Sequence, residues 1–293
     1  MQSFSSLTDF HPVIPYFGGQ NTTVTDHNRI LGKPNMKRPQ QLLLHMLLFV
    51  FLIPAVLTAG AADELSWYFK KNDEHKQPSL DEAQSFINGY SCYYADKKHG
   101  DDNPDKVIYL TFDAGYENGN VARILDTLKE KNVPGAFFVL RHLIEANTDL
   151  VLRMVNEGHL VCNHTMSHKN MAAVTDRAAF EKELCGLADL FCEKTGREMP
   201  KYYRPPEGRL SEQNLKILED MGYKTILWSF AYADWDNNAQ MNAEKAKEKL
   251  LRGTHNGMIL LLHPTSKTNA DILGELIDDW KEQGYRFGTL DEL

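Results

Sequence analysis

The pattern of apolar and polar positions divides this 293-residue chain into four stretches. Through residue 35, Ser, Thr, Asn, Pro and Gly recur without a hydrophobic period. An apolar run follows at 42–57, broken only by His45 and Pro54. Residues 63–105 are polar with scattered aromatics, among them Trp67, Tyr68, Phe69, Tyr90, Tyr93 and Tyr94. Beyond them, short apolar runs alternate with amphipathic stretches to the end of the chain. The runs 107–112, 135–140, 159–163, 202–204, 223–230, 257–262 and 285–287 predict strands, the first of them apolar enough to be buried on both faces. The stretches 118–131, 148–157, 176–194, 211–221, 243–252 and 269–283 predict helices. Thr175, Ser211 and Asn269 suit N-caps, while Gly158, Gly196, Gly222, Gly253 and Gly284 suit the positions just past helix ends.

Seven strands alternating with six helices predict an α/β fold whose strands, about seven, run parallel. An open doubly wound sheet and a closed or distorted barrel both fit the pattern. No G-x-G-x-x-G follows the first strand, which counts against dinucleotide binding. The stretch 63–105 reads as an N-terminal extension packed on the outside of a catalytic domain spanning 106–293.

The second stretch has the form of an export signal. Lys37 and Arg38 precede the apolar run, and Ala59-Gly60-Ala61 fits a small-residue cleavage site. A signal peptide over 36–62 is expected, with an uncleaved anchor as the alternative. Met36 is then a candidate start, and 1–35 a non-native or disordered leader. The expected location is extracytoplasmic or at the cell envelope.

Composition narrows the chemistry. The formal charge is −8 and no basic stripe is evident, which argues against a nucleic-acid partner. No protein partner is inferred. Of the four cysteines, Cys185 and Cys192 lie seven apart on a predicted helix, about 10 Å at 1.5 Å per residue. That is too far for a disulfide, and buried free thiols are expected.

In parallel α/β folds, functional groups gather where strands end and loops begin. The first strand ends in Asp113, the third runs into Asn163-His164-x-x-x-His168, and the fourth into Arg204-Pro205-Pro206-Glu207-Gly208. Asp234-Trp235 follows the fifth and His263 ends the sixth. Each has a plain reading: a helix cap for Asp113, a solvated face for the two histidines, a core position for His263 and Trp235, a structural ion pair for Arg204. Five ligand-type or ionisable strand ends together favour a site. His164 and His168, four apart, can face one divalent ion. His263 suits a general acid, Arg204 the orientation of a carboxylate, and Trp235 the wall of a sugar site.

In order, Thr111-Phe112-Asp113, His164-x-x-x-His168, Arg204-Pro-Pro-x-Gly208, Asp234-Trp235 and Leu262-His263 resemble the motifs of the polysaccharide deacetylase superfamily, from about Trp67 to the C-terminus. Trp67-x-Phe69-Lys70, His75-x-Gln77-Pro78 and the stretch 111–119 are similar to a subgroup, the muramic δ-lactam de-N-acetylases of spore-forming bacteria. The resemblance implies a distorted (β/α) barrel that hydrolyses the N-acetyl group of a sugar in a peptidoglycan glycan strand. In the subgroup that sugar is peptide-free N-acetylmuramic acid of the spore cortex. It further implies Asp113 as general base, His263 as general acid, Arg204 and Asp234 as orienting groups, and His164 and His168 as ligands of zinc, manganese, cobalt or magnesium. Substrate contacts are expected from Tyr116, Asn163, Pro205 and Trp235. A backbone N–H near the fourth strand is the expected partner of the reaction's oxyanion. Most members carry a second Asp as metal ligand where this chain has Ala114, so waters or a more distant carboxylate would have to complete the metal shell. The alternatives are a deacetylase of N-acetylglucosamine, chitin-type or acetyl-xylan polysaccharide, and a catalytically inactive carbohydrate-binding module.

Overall fold

A computed structural model describes residues 64–71 and 73–293. The expected leader at 1–35 and the expected signal peptide at 36–62 lie outside the described residues. No helix among the described residues is long and apolar enough to cross a membrane.

Nine strands form one parallel sheet: β2 (Cys92–Tyr93), β3 (Lys106–Ala114), β4 (Ala136–Val139), β5 (Leu160–Asn163), β6 (Tyr202–Tyr203), β8 (Lys224–Ile226), β9 (Phe230–Ala231), β10 (Met258–Leu262) and β11 (Tyr285–Phe287). The order is β2-β8-β6-β5-β4-β3-β10-β9, with β11 also pairing β3. Two remaining strands, β1 (Leu65–Ser66) and β7 (Arg209–Leu210), make a separate antiparallel pair. Helices α1 (Asn120–Lys131), α2 (Arg141–Ala146), α3 (Thr148–Asn156), α4 (Arg177–Thr195), α5 (Glu212–Asp220), α6 (Ala243–Gly253) and α7 (Lys267–Glu282) connect them.

The sheet curls because one predicted strand is two. The run 223–230 breaks at Leu227-Trp228-Ser229, and its halves pair with different neighbours: β8 with β2 and β6, β9 with β10. The same segment thus joins both ends of the sheet, giving the distorted barrel. Strand periodicity sorts the side chains. Ile108, Leu110, Phe112 and Ala114 of β3 face outward into an apolar layer shared with Val121, Ile124, Leu128, Leu273 and Ile277 of α1 and α7. Val107 and Tyr109 face inward with Phe138, Cys162, Tyr202, Ile226 and Ile259, closed below by Leu290 and Leu293.

Several expectations require correction. The extension does more than lie outside the domain, since its β2 is a strand of the sheet and Trp67, Tyr94 and Ala95 are buried. The N-cap of α4 is Asp176, not Thr175, and that of α7 is Ser266, not Asn269. Ser211 caps α5 as expected. Gly253 is the last residue of α6 rather than the position beyond it; a Cβ there would fall 2.0 Å from the Phe230 ring. Of the cysteines, all free, only Cys162 is fully buried. Cys185 and Cys192 are exposed, on the face of α4 opposite Leu184, Leu187 and Phe191.

Candidate active site

Parallel register carries the five strand ends to one face. Leu262 pairs Phe112, so His263 follows directly beside Asp113. Asn163 pairs Tyr203, which sets His164 beside Arg204. The Arg204 N–H donates to Asn163 O at 3.1 Å, and the His164 N–H to Val139 O at 3.2 Å.

Arg204 is wholly buried, and each of its three side-chain nitrogens has a partner. Nη1 donates to Asp113 Oδ1 at 2.9 Å. Nη2 donates to Thr111 Oγ1 at 2.8 Å and Leu227 O at 3.2 Å, and Nε to Ile226 O at 3.0 Å. The guanidinium lies 4.2 Å from the Phe138 ring centroid, close enough for cation–π attraction. A buried cation needs this full set of partners. Burial works to raise the Asp113 pKa, yet the positive field of His164, Arg204 and His263 outweighs it and holds the carboxyl below its ordinary value. Asp113 is therefore ionised at neutral pH.

Asp234 is also buried, and it grips His263 twice. Oδ1 faces Nδ1 at 2.8 Å and Oδ2 accepts the His263 backbone N–H at 2.8 Å. Asn269 Nδ2 donates to Asp234 Oδ2 at 2.6 Å and to His263 O at 3.1 Å, and Tyr232 donates to Asn269 Oδ1. With Nδ1 tied to a carboxylate, Nε2 is the nitrogen left to act. Burial lowers the His263 pKa, but the hydrogen bond and charge of Asp234, with Asp113 behind, raise it above the usual imidazole value.

His164 and His168 come together, with ring centroids 5.0 Å apart and planes at 74°. The loop between them is strained, since Thr165 and His168 both have positive φ, 74° and 52°. It is held by Asn163, whose Oδ1 accepts from Thr165 N and whose Nδ2 donates to Leu184 O. Glu183 of α4 accepts from the Ser167 N–H and hydroxyl and pairs with Lys169 at 2.8 Å. The sequence gives no sign of Glu183 and shows Thr111 only as a motif residue, because each acts through its three-dimensional neighbours. Asn269 was visible only as a polar residue at a helix start.

The donor set suits a cation. His164 Nδ1 meets Arg204 O at 2.9 Å, a bond that requires the proton on Nδ1. Its Nε2 lone pair then faces Asp113 Oδ2 at 3.5 Å, two electron-rich atoms with nothing positive between them. Burial pushes the His164 pKa down to about 4, so at neutral pH a proton does not fill that role. Two imidazoles and the open edge of Asp113 are donor types that a divalent ion takes, although the three do not converge as a ready-made ligand set. No group of three or more His, Cys, Asp or Glu poised for a metal occurs among the described residues. Ala114 lies in the outward apolar layer and offers no donor.

The rim residues divide. Trp235, 62% exposed, sits 6.3 Å from the His263 ring, and the exposed Tyr116 accepts from Asn237 Nδ2 at 2.5 Å. Both are open to a ligand. Asn163 is fully buried with its amide committed to the loop, so it positions the site rather than facing a ligand. Pro205 is buried as well. Of the backbone donors after β6, Arg204 N–H goes to Asn163 O and Gly208 N–H to Pro205 O, and the prolines have none. The expected oxyanion donor narrows to Glu207.

A buried Arg–Asp pair, a carboxylate-gripped histidine and two converging imidazoles form a hydrolytic constellation, and comparison with known proteins agrees. Residues 100–226 match the polysaccharide deacetylase family. An uncharacterised 30.6 kDa protein of Geobacillus stearothermophilus is 41% identical over 85% of this chain and 92% of its own length. The peptidoglycan-N-acetylmuramic acid deacetylase PdaA of Bacillus subtilis is 36% identical over 82% of this chain and 92% of its own. The solved structure of PdaA, described as a family 4 carbohydrate esterase, superposes with a TM-score of 0.73 over 79% of this chain and 97% of that one. A family 4 carbohydrate esterase from Bacillus anthracis gives 0.63 at 37% identity over 78% of this chain and 95% of that one. This chain belongs to the polysaccharide deacetylase family and is a de-N-acetylating hydrolase.

Proposed function

We propose that the chain removes the N-acetyl group from a peptidoglycan sugar outside the cytoplasm, with peptide-free N-acetylmuramic acid of spore cortex as the substrate and muramic δ-lactam as the downstream product. The observation that carries the reading is the pairing, on adjacent strands, of an ionised Asp113 with a His263 whose pKa is raised. The likeness to PdaA over nearly the whole described chain supports the sugar.

An amide carbonyl is a poor electrophile and its amine a poor leaving group. A divalent ion held by His164 and His168, when bound, would polarise the carbonyl and acidify water. Asp113, fixed by Arg204, takes the proton of the attacking water. His263, protonated and aimed by Asp234, delivers one from Nε2 to the departing nitrogen. In this reading the Glu207 N–H donates to the developing oxyanion, and Tyr116 and Trp235 flank the sugar.

Mass spectrometry of peptide-free muramic glycan, incubated with and without chelator, tests this. Acetyl loss stopped by chelation supports the reading, and a further loss of water marks the lactam. Acetyl loss only from N-acetylglucosamine or xylan oligomers would replace the substrate, and no loss from any glycan would favour a binding module.

A further inference from the structure

The aromatic-rich extension has no part in the chemistry above, yet it reaches the backbone that holds Arg204. Three successive carbonyls, Ile226, Leu227 and Trp228, accept from Arg204 Nε, Arg204 Nη2 and Trp67 Nε1, the last at 2.9 Å. The Trp67 backbone N–H donates to Gly208 O at 2.8 Å, and β1 pairs β7, so the extension grips the far end of the loop that begins at Arg204. Trp67 is buried against Tyr94, with centroids 5.3 Å apart. Gly208, at φ 68°, brings the two contacts together: a Cβ there would meet the Trp228 ring at 2.8 Å and Trp67 Cβ at 3.1 Å. The Trp228 ring in turn stands 5.8 Å from the Arg204 guanidinium.

We propose that Trp67 is a positioning residue for Arg204, which makes the extension a working part of the active site. Trp67 fixes the 226–228 carbonyls from one side and the 204–208 loop from the other. Arg204 has no freedom of its own, so its aim at Asp113 is the aim of these two backbones.

The inference rests on the deacetylase reading, and two readouts separate them. Trp67→Phe keeps an aromatic ring in the pocket but removes the indole N–H together with the pyrrole part of the ring. Gln77→Ala is the control, because Gln77 anchors the same extension to Asp96 O, His99 O and Asn256 O, away from the Arg204 loop. Acetate release should show kcat lowered about tenfold or more in Trp67→Phe with KM nearly unchanged, and wild-type kcat in Gln77→Ala. Hydrogen exchange by mass spectrometry should show faster exchange across 204–210 and 224–231 in Trp67→Phe alone. Unchanged kcat and exchange in Trp67→Phe would overturn the proposal. Equal effects of the two variants would overturn it too, because that is what general loosening produces. Should the wild type release no acetate, the activity reading fails while the exchange pattern still decides this one.

Discussion

Asp234 and His263 are joined by both carboxylate oxygens, one to the imidazole Nδ1 and one to the backbone N–H of the same residue. The first bond fixes the tautomer and the second fixes the distance, so the ring is aimed with little freedom. It also raises the His263 pKa. With His263 as the proposed acid, activity should persist above the ordinary imidazole pKa of about 6.5 and decline as pH rises through the folded value. Asp234→Asn should move that decline to lower pH and reduce kcat by about a hundredfold or more. A kcat/KM profile against pH measures both; an alkaline limb unmoved in the variant would remove His263 as the acid.

Asp113 is the counter-charge to a buried cation and, in the proposed mechanism, also the base. Asp113→Asn should lower kcat by about two to four orders of magnitude and also lower the unfolding temperature, because the Arg204 charge loses its partner. Arg204→Met, near in volume and uncharged, leaves Asp113 buried without its cation and should cost about 3 kcal/mol. Thermal unfolding beside steady-state kinetics distinguishes the two effects. Near wild-type turnover in Asp113→Asn would refute the base.

Metal affinity should be modest. Two imidazoles and a carboxylate edge give fewer protein donors than the three firm ligands usual for catalytic zinc. Isothermal titration of the metal-stripped protein is expected to show one divalent site, lost in His168→Ala. Retention of full affinity in that variant would place the ion elsewhere.

The strained loop from Thr165 to His168 depends on Glu183. Glu183→Gln removes the charge that pairs Lys169 and weakens the bonds to Ser167. Metal affinity should fall about tenfold with little change in unfolding temperature. Equal affinity in the variant would show that the loop holds its shape unaided.

Fold class and the residues that converge on one face were legible in the sequence because both depend on local pattern. Buried strands leave unbroken apolar runs, and parallel strands deliver their last residues to one face. Asp113, His164, Arg204, Asp234 and His263 could be read as strand ends before their neighbours were known. The break between β8 and β9 could not, since Leu227-Trp228-Ser229 looks like strand and only the change of pairing partner interrupts it. Helix α2 was overlooked because six residues are too few to show a helical period. Asn163 was misjudged for a related reason: next to a ligand-type histidine it looked like a binding group, and only its burial shows that its amide is spent on the loop.

The break between β8 and β9 ties folding to chemistry. Where the strand changes partners, Ile226 O and Leu227 O turn to the guanidinium of Arg204, so the seam of the barrel is sealed by the residue that holds Asp113. A chain that has not yet closed the seam has no site for that charge, and a chain that has closed it already holds Asp113 in place. A circular permutant opened at 227–229 should therefore lose its activity and its cooperative unfolding together, whereas one opened at the exposed residues 236–239 should be able to keep both.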